Sequence, residues 1–177
     1  IRDRHKFVKG QPETGVELAE DLERIAMNFG GENIAACIVE PIAGSTGTLV
    51  PPKGYLKRLR EICDKHGILL IFDEVITGWG RTGSAFAAQE WGVTPDIMTM
   101  AKATTNGVVP MGVVAVKEEM YDTVLDASKN PEGTPELFHG YTYSGIPVAV
   151  AAALAVQDIF DKEDIFNRAK KMSPYFQ

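Results

Sequence analysis

Cysteine is scarce, Cys37 and Cys63 being the only two. Cys37 lies in an apolar run and Cys63 in a helical pattern. Neither has metal-ligand spacing, and two thiols in 177 residues are far from the density of a disulfide scaffold. A reducing cytoplasm is the expected compartment. Long apolar runs are missing too. None approaches the roughly 20 residues that span a bilayer. The opening Ile1-Arg2-Asp3-Arg4-His5-Lys6 lacks the apolar core of a signal peptide, so no membrane partner is expected. Positive charge is in deficit: 18 Lys and Arg stand against 24 Asp and Glu, a formal net charge of -6. The basic residues never form a block that tracks phosphates, which argues against nucleic acid. What remains, 45% hydrophobic and 24% charged, is an ordinary globular composition, long enough for one sizeable core. The chain opens on Ile1 rather than methionine, which fits a processed protein or a segment of a longer one.

Residues 1–15 carry mixed charges with Gly10, Pro12 and Gly15 and no sustained period, as in a connecting segment. From 16 to 29, Val16, Leu18, Ala19, Leu22, Ile25, Ala26 and Phe29 keep helical spacing, and Gly30-Gly31 stops the run. The apolar run Ile34 to Val39 reads as a first buried strand ending in Glu40, with Pro41 closing it. A small polar loop and Pro51-Pro52 lead into a helix over 54–66 whose core stripe is Leu56, Leu59, Ile62 and Cys63. Then comes Ile68-Leu69-Leu70-Ile71-Phe72, continuous enough for a strand buried on both faces of a parallel sheet, and it delivers Asp73 at its carboxyl end. Strand, crossover helix and strand in this order make a right-handed βαβ unit, which brings Glu40 and Asp73 to one edge.

In open α/β sheets that edge binds ligands, so Asp73 is a functional candidate there; the plain alternative is a cap or an ion pair. Glycines at 78, 80 and 83 force a loop. A short helix is expected over 84–91, and a third strand over 96–101 ends at Lys102. Residues 112–116 resume so soon after Asn106-Gly107 and Pro110 that an antiparallel return is expected, giving a mixed sheet. Residues 128–135 are a loop by composition. His139-Gly140-Tyr141-Thr142-Tyr143-Ser144-Gly145 gathers hydroxyls before Pro147 and an alanine-rich helix running to about Phe160. That arrangement suits a phosphate, with ordinary capping by Ser144 as the plain alternative. Residues 161–177 read as a further helix that ends before any return to the core. His66 is read as a helix-end residue and His139 as a loop residue, neither catalytic.

A carboxylate and a lysine at neighbouring strand ends, near a hydroxyl-rich helix start, are what a pyridoxal phosphate site requires. The carboxylate holds the pyridine nitrogen protonated through a charge-assisted hydrogen bond; the lysine supplies the Schiff base and then moves the proton. The motifs Asp73-Glu74-Val75-Ile76-Thr77-Gly78-Trp79-Gly80-Arg81-Thr82-Gly83, Thr94-Pro95-Asp96, Ala101-Lys102 and Gly140-Tyr141-Thr142-Tyr143-Ser144-Gly145, in that order, resemble class III pyridoxal-phosphate aminotransferases. The resemblance covers residues 18–160. It implies an α/β fold of the fold-type-I transferase class, a central part of the large domain with a mostly parallel, mixed sheet flanked by helices. On that reading 1–15 is the connecting segment, 16–160 is part of the cofactor-binding domain, and 161–177 leads towards a small C-terminal domain. It also implies a homodimer with shared active sites.

By position, the resemblance makes Lys102 and Asp73 the catalytic pair, with Val75 on one face of the cofactor ring and Thr142 at the phosphate of the neighbouring subunit's site. Glu40 matches the buried glutamate that orients groups beside the cofactor. Ile76 stands where ornithine- and aminobutyrate-type members carry a glutamine that contacts the cofactor's phenolic oxygen, and Ser45 where they carry a glutamate. Those departures are similar to omega-amino acid:pyruvate (β-alanine:pyruvate) enzymes. The implied reaction moves an amino group from an omega-amino acid or amine to pyruvate or a similar keto acid. A class III decarboxylase or aminomutase, or a non-catalytic fragment, are the alternatives, and the isolated 177 residues are expected to be inactive. Gly78, Gly80 and Arg81 are expected to shape their loop rather than touch substrate. Glu74, which alternation turns away from the face of Asp73 and Val75, is given no role. Ile146 stands in a place commonly held by histidine, and nothing physical explains the change.

Overall fold

A computed structural model describes residues 10–127 and 140–176; residues 1–9, the expected loop over 128–135 and His139 lie outside them. Strands β1 (Ala36–Val39), β2 (Leu69–Asp73), β3 (Ile97–Met100) and β4 (Val113–Val116) form one sheet in the order β1-β2-β3-β4. The first three run parallel and β4 returns antiparallel to β3, the mixed sheet expected from the short 101–112 connection. Helices α1 (Glu20–Phe29) and α2 (Tyr55–His66) lie before and between β1 and β2, and α3 (Ala87–Trp91) precedes β3. After β4 come α4 (Glu118–Ala127), α5 (Pro147–Lys162) and α6 (Ile165–Phe176). No helix among the described residues is long and apolar enough to cross a membrane.

The core forms where α2 lies on β2. Leu56, Leu59, Ile62 and Cys63 project from α2 at three- and four-residue spacing and meet Leu70 and Phe72, all of them buried. Cys37 and Val39, in register with Leu70 and Phe72, extend the same face. The Cys37 and Cys63 thiols share a hydrogen bond across this layer, which brings Cys37 down to about 7 and pushes Cys63 up.

Three expectations change. The strand predicted as buried on both faces is buried on one: Leu70 and Phe72 are inaccessible, whereas Leu69, Ile71 and Asp73 on the other face are half-buried. Helix α2 covers only the first face. The same asymmetry opens β1, whose Ile38 is 63% exposed. The expected helix over 16–29 divides into a 3-10 turn, Val16–Ala19, and α1. Ala19 and Ala26 pack as predicted and Leu22 packs in part, but Val16, Leu18, Ile25 and Phe29 are exposed. The turn winds at about 3.0 residues rather than about 3.6, so Val16 and Leu18 miss the contact row. Ile25 lies one position, about 100°, round the helix from Ala26. Finally, the expected single helix over 161–177 is divided, α5 running on to Lys162 and α6 starting at Ile165; α6 buries no residue and lays Phe166 against Phe160 of α5 at 5.5 Å and against Gly80.

At the amino ends of the central strands Asp96 acts as a clamp. Only 8% exposed, its carboxylate accepts from the Leu70 amide, from Arg60 Nη1 and from Lys117 Nζ, each at 2.7 Å. Its backbone also bonds Leu70 O and the Lys117 amide. One residue thereby ties α2, β2, β3 and the end of β4. Burial alone raises the acid's pKa, but Lys117, the Leu70 amide and Arg60 outweigh it and hold Asp96 down at about 2, against an ordinary 3.8. Because the folded value is depressed, the clamp stabilises the fold fully above pH 3.8 and is lost as pH falls through about 2. Asp96→Ala is expected to cost about 3 kcal/mol, since two cations and an amide lose a buried acceptor. Urea unfolding of the full-length protein at pH 7 measures it, and the difference from the parent shrinks in acid.

Candidate active site

Parallel β1, β2 and β3 all end at one edge of the sheet, which collects Glu40, Asp73 and the start of the Lys102 turn. Asp73 closes β2 and lies beside Thr99 of β3. Its Oδ1 accepts the Val75 amide at 3.0 Å, which turns the chain sharply out of the strand and fixes the carboxylate. The other oxygen takes no hydrogen bond among the described residues. Lys102 follows β3 within a 3-10 turn, Lys102–Thr104, and is exposed, with no ion pair or hydrogen bond to its amine among the described residues. A carboxylate oxygen and an amine are thus left uncommitted at adjacent strand ends.

Lys102 has φ 46°, the left-handed region that L-residues adopt at a cost of about 1–2 kcal/mol. Such a conformation persists only where neighbours impose it. Here the Thr104 amide donates to Ala101 O at 3.0 Å and the Gly107 amide to Lys102 O at 3.2 Å.

The loops after β1 and β2 meet at this edge. Glu40 Oε2 accepts the Gly44 amide at 2.9 Å, closing the turn after β1. Ile76 packs against Gly44 so closely that a Cβ on that glycine would stand 2.5 Å from Ile76 Cδ1. Val75 and Ile76 are half-buried beside Asp73. The loop-shaping reading of the glycines agrees with their packing: a Cβ on Gly78 would meet Glu74 O at 2.8 Å, and one on Gly80 the Phe166 ring at 2.6 Å. Arg81 is exposed and lines, with Thr82, Trp91 and Met172, a cavity of about 690 Å³.

Glu74, for which alternation predicts no role, is engaged in the structure. It is wholly buried and has no cationic partner among the described residues. Its carboxylate accepts from Thr77 Oγ1 and from the Ala87 and Ala88 amides, each at 2.8 Å, so it caps the amino end of α3. Alternation does turn Glu74 away from Asp73, towards the covered face, where a carboxylate survives only with such donors. The signal was present in the pattern: a charge on the buried parity of a strand demands a partner further along the chain.

The 140–145 turn departs from the expected cap. Ser144 Oγ accepts the Tyr141 amide at 2.9 Å and closes the turn itself, because Gly145 and Ile146 separate it from the helix. Pro147 occupies the first position of α5, as expected. Thr142 is exposed and has no hydrogen bond to the Asp73 and Lys102 pair. Helix α5 packs against the Lys102–Thr104 turn, which ties this segment to the same edge. His66, at the end of α2, bonds Glu23 at 3.1 Å, a structural link between helices.

A mixed sheet flanked by helices, with amine and carboxylate on its carboxyl edge, has the architecture of fold-type-I transferases, and solved transaminases superpose on it. An (S)-enantioselective omega-transaminase from Thermomicrobium roseum matches with TM-score 0.83 and 45% identity, over 90% of this chain and 34% of that one. An amine transaminase from an uncultivated Pseudomonas species, solved with PLP bound, matches with TM-score 0.80 and 45% identity, over 89% of this chain and 35% of that one. Residues 3–177 match the aminotransferase class-III family model, and the chain belongs to that family. It is 58% identical to an omega-aminotransferase of Caulobacter vibrioides over 96% of its length, and 52% identical to a beta-alanine--pyruvate aminotransferase of Pseudomonas aeruginosa over 97%. The chain spans 38% of the length of each of these two relatives.

Proposed function

We propose that the whole protein is a pyridoxal-phosphate aminotransferase that moves an amino group from an omega-amino acid or amine to pyruvate or a similar keto acid. The observation that carries this is the pair of uncommitted groups, Asp73 and Lys102, ending adjacent parallel strands. The residues fit the cofactor: an acid whose second oxygen is open, an amine with no partner among the described residues, and apolar Val75 and Ile76 beside them. Pyridoxal phosphate, when bound, supplies an aldehyde that takes up and returns an amino group and a ring that draws electrons from a breaking bond.

Asp73 then holds a proton on the ring nitrogen by a charge-assisted hydrogen bond, with its position set by the Val75 amide. Lys102 Nζ would be the amine that holds the cofactor's aldehyde, and, when free, the base that would move the proton at the substrate Cα. Val75 and Ile76, half-buried beside Asp73, would supply an apolar wall for the ring and limit access of water. Glu40 holds the Gly44 turn against Ile76 and so supports that wall. Thr142 serves the phosphate at the neighbouring subunit's site in a homodimer. Val148 and Leu154 of α5, 57% and 60% exposed, are apolar surface that a partner or the rest of the chain covers. Residues 161–177 lead towards the small domain, and a cytoplasmic setting fits the thiols.

The relatives' names support the donor class. With the full-length protein, β-alanine is expected to convert the bound aldehyde to the amine, seen as loss of its visible absorbance, and pyruvate to restore it. Release of carbon dioxide, or no response to any amine donor, would overturn the reading.

A further inference from the structure

The loop that follows Asp73 and the turn that begins at Lys102 are joined by a part-buried hydrogen bond. Trp79 Nε1 donates to Thr104 Oγ1 at 3.0 Å. The Thr104 hydroxyl donates in turn to Ala101 O, also at 3.0 Å. An indole N–H only donates, so it occupies the hydroxyl's acceptor side and leaves the hydroxyl proton to the carbonyl. The Ala101 carbonyl shares a peptide plane with the Lys102 amide. Fixing its direction fixes the plane from which the Lys102 φ of 46° is measured.

Both ends of the link are rigid. Thr104 is 2% exposed. Trp79 is itself in the left-handed region, at φ 62°, and its ring packs on Phe86 at 5.0 Å and Phe160 at 6.2 Å. Upstream, the loop is anchored to the end of β2, because the Gly78 amide bonds Glu74 O and the Glu74 carboxylate caps α3. A continuous path therefore runs from the strand end that bears Asp73, through Trp79 and Thr104, to the peptide that aims Lys102.

We propose that Trp79 and Thr104 are positioning residues for the amine of Lys102: their hydrogen bond holds the strained turn in place and sets the Lys102 aim relative to Asp73. This rests on Lys102 being the cofactor lysine. Thr104→Val keeps the shape and removes the hydroxyl; Trp79→Phe keeps a ring between Phe86 and Phe160 and removes the donor; Thr104→Ser keeps the hydroxyl.

In the full-length holoenzyme Thr104→Val and Trp79→Phe are each expected to lower kcat about 10-fold, a modest share of the effect a misplaced reactive group produces. KM for the amine donor stays within about 2-fold, because neither residue touches substrate. The bound cofactor's visible band is expected to shift in both variants, and Thr104→Ser to restore band and kcat. The double variant is no worse than either single one, since both cut the same path. In the apo protein, amide exchange over 101–107 is expected to quicken in both variants and not in Thr104→Ser.

The proposal is overturned if Thr104→Val or Trp79→Phe leaves kcat and the band unchanged while borohydride still labels Lys102. It is equally overturned if the two losses multiply in the double variant. A label on another lysine in the unaltered protein would instead defeat the underlying assignment of Lys102.

Discussion

Lys102→Ala in the full-length protein is expected to fold, to bind pyridoxal phosphate without a covalent bond, and to lose transamination by about 10⁴-fold or more. The magnitude follows from two losses at one atom. A positioned general acid–base is worth about 10²- to 10⁴-fold, and removing the nucleophilic amine also removes the route by which product leaves. The fold is expected to survive because Lys102 is exposed and its side chain engages nothing among the described residues. Its backbone strain is imposed by Ala101, Thr104 and Gly107 rather than by its side chain. Alanine at φ 46° bears a similar penalty, so the unfolding midpoint changes little. Circular dichroism and thermal unfolding check the fold, and steady-state turnover checks the activity. A small amine added to the Lys102→Ala variant is expected to recover part of the rate. Retention of more than about a hundredth of the parent's turnover would mean that another group moves the proton.

Asp73→Asn carries the next largest effect. The amide is nearly isosteric, and its oxygen can still accept from the Val75 amide, so the turn after β2 is preserved. The open side changes from a carboxylate oxygen to an uncharged group, and the proton on the ring nitrogen loses its ionised partner. Breaking such a pair on one side costs about 3 to 5 kcal/mol, and about 1.4 kcal/mol is tenfold in rate. The expected fall in kcat is therefore about 10²- to 4 × 10³-fold, with the covalent tie to Lys102 still forming. Single-turnover kinetics with a donor deuterated at the carbon bearing the amine is the check. A large isotope effect that persists or grows in Asp73→Asn places the loss in proton abstraction. An unchanged rate would remove Asp73 from the role.

The strand-end positions of Asp73 and Lys102 were legible from strand runs, whereas their expected roles came from the resemblance that the surrounding motifs carry. Ile68 to Phe72 makes a strand from apolarity, and parallel order then brings Asp73 and Lys102 to the same edge. The antiparallel return of β4 was legible for a similar reason, since the 101–112 connection is too short for a crossover.

What escaped the sequence depends on partners distant along the chain. Glu74 was set aside because alternation turned it from the ligand face. Its importance lies in the Ala87 and Ala88 amides, 14 residues away at the further one, which meet it only when the glycine loop folds back. Asp96 was visible as part of a motif, but not as a clamp on Arg60, Leu70 and Lys117, because those partners come from α2, β2 and the junction between β4 and α4. Exposed Val16 and Leu18 depart from the expected row because apolar spacing cannot tell a 3-10 entry from an α-helical one. Capping by Ser144, the plain alternative to a phosphate there, follows from the preference of hydroxyl residues for that role, but the turn uses the hydroxyl first, through the Tyr141 amide.

The central claim is that Lys102 is the residue bonded to the cofactor, with Asp73 beside it as the ring's partner. The most direct test is to load the full-length protein with pyridoxal phosphate, reduce it with borohydride, digest it and map the modified peptide. The account predicts a single pyridoxyl group on Lys102, absent from Lys102→Ala treated identically; a pyridoxyl group on any other lysine would contradict it.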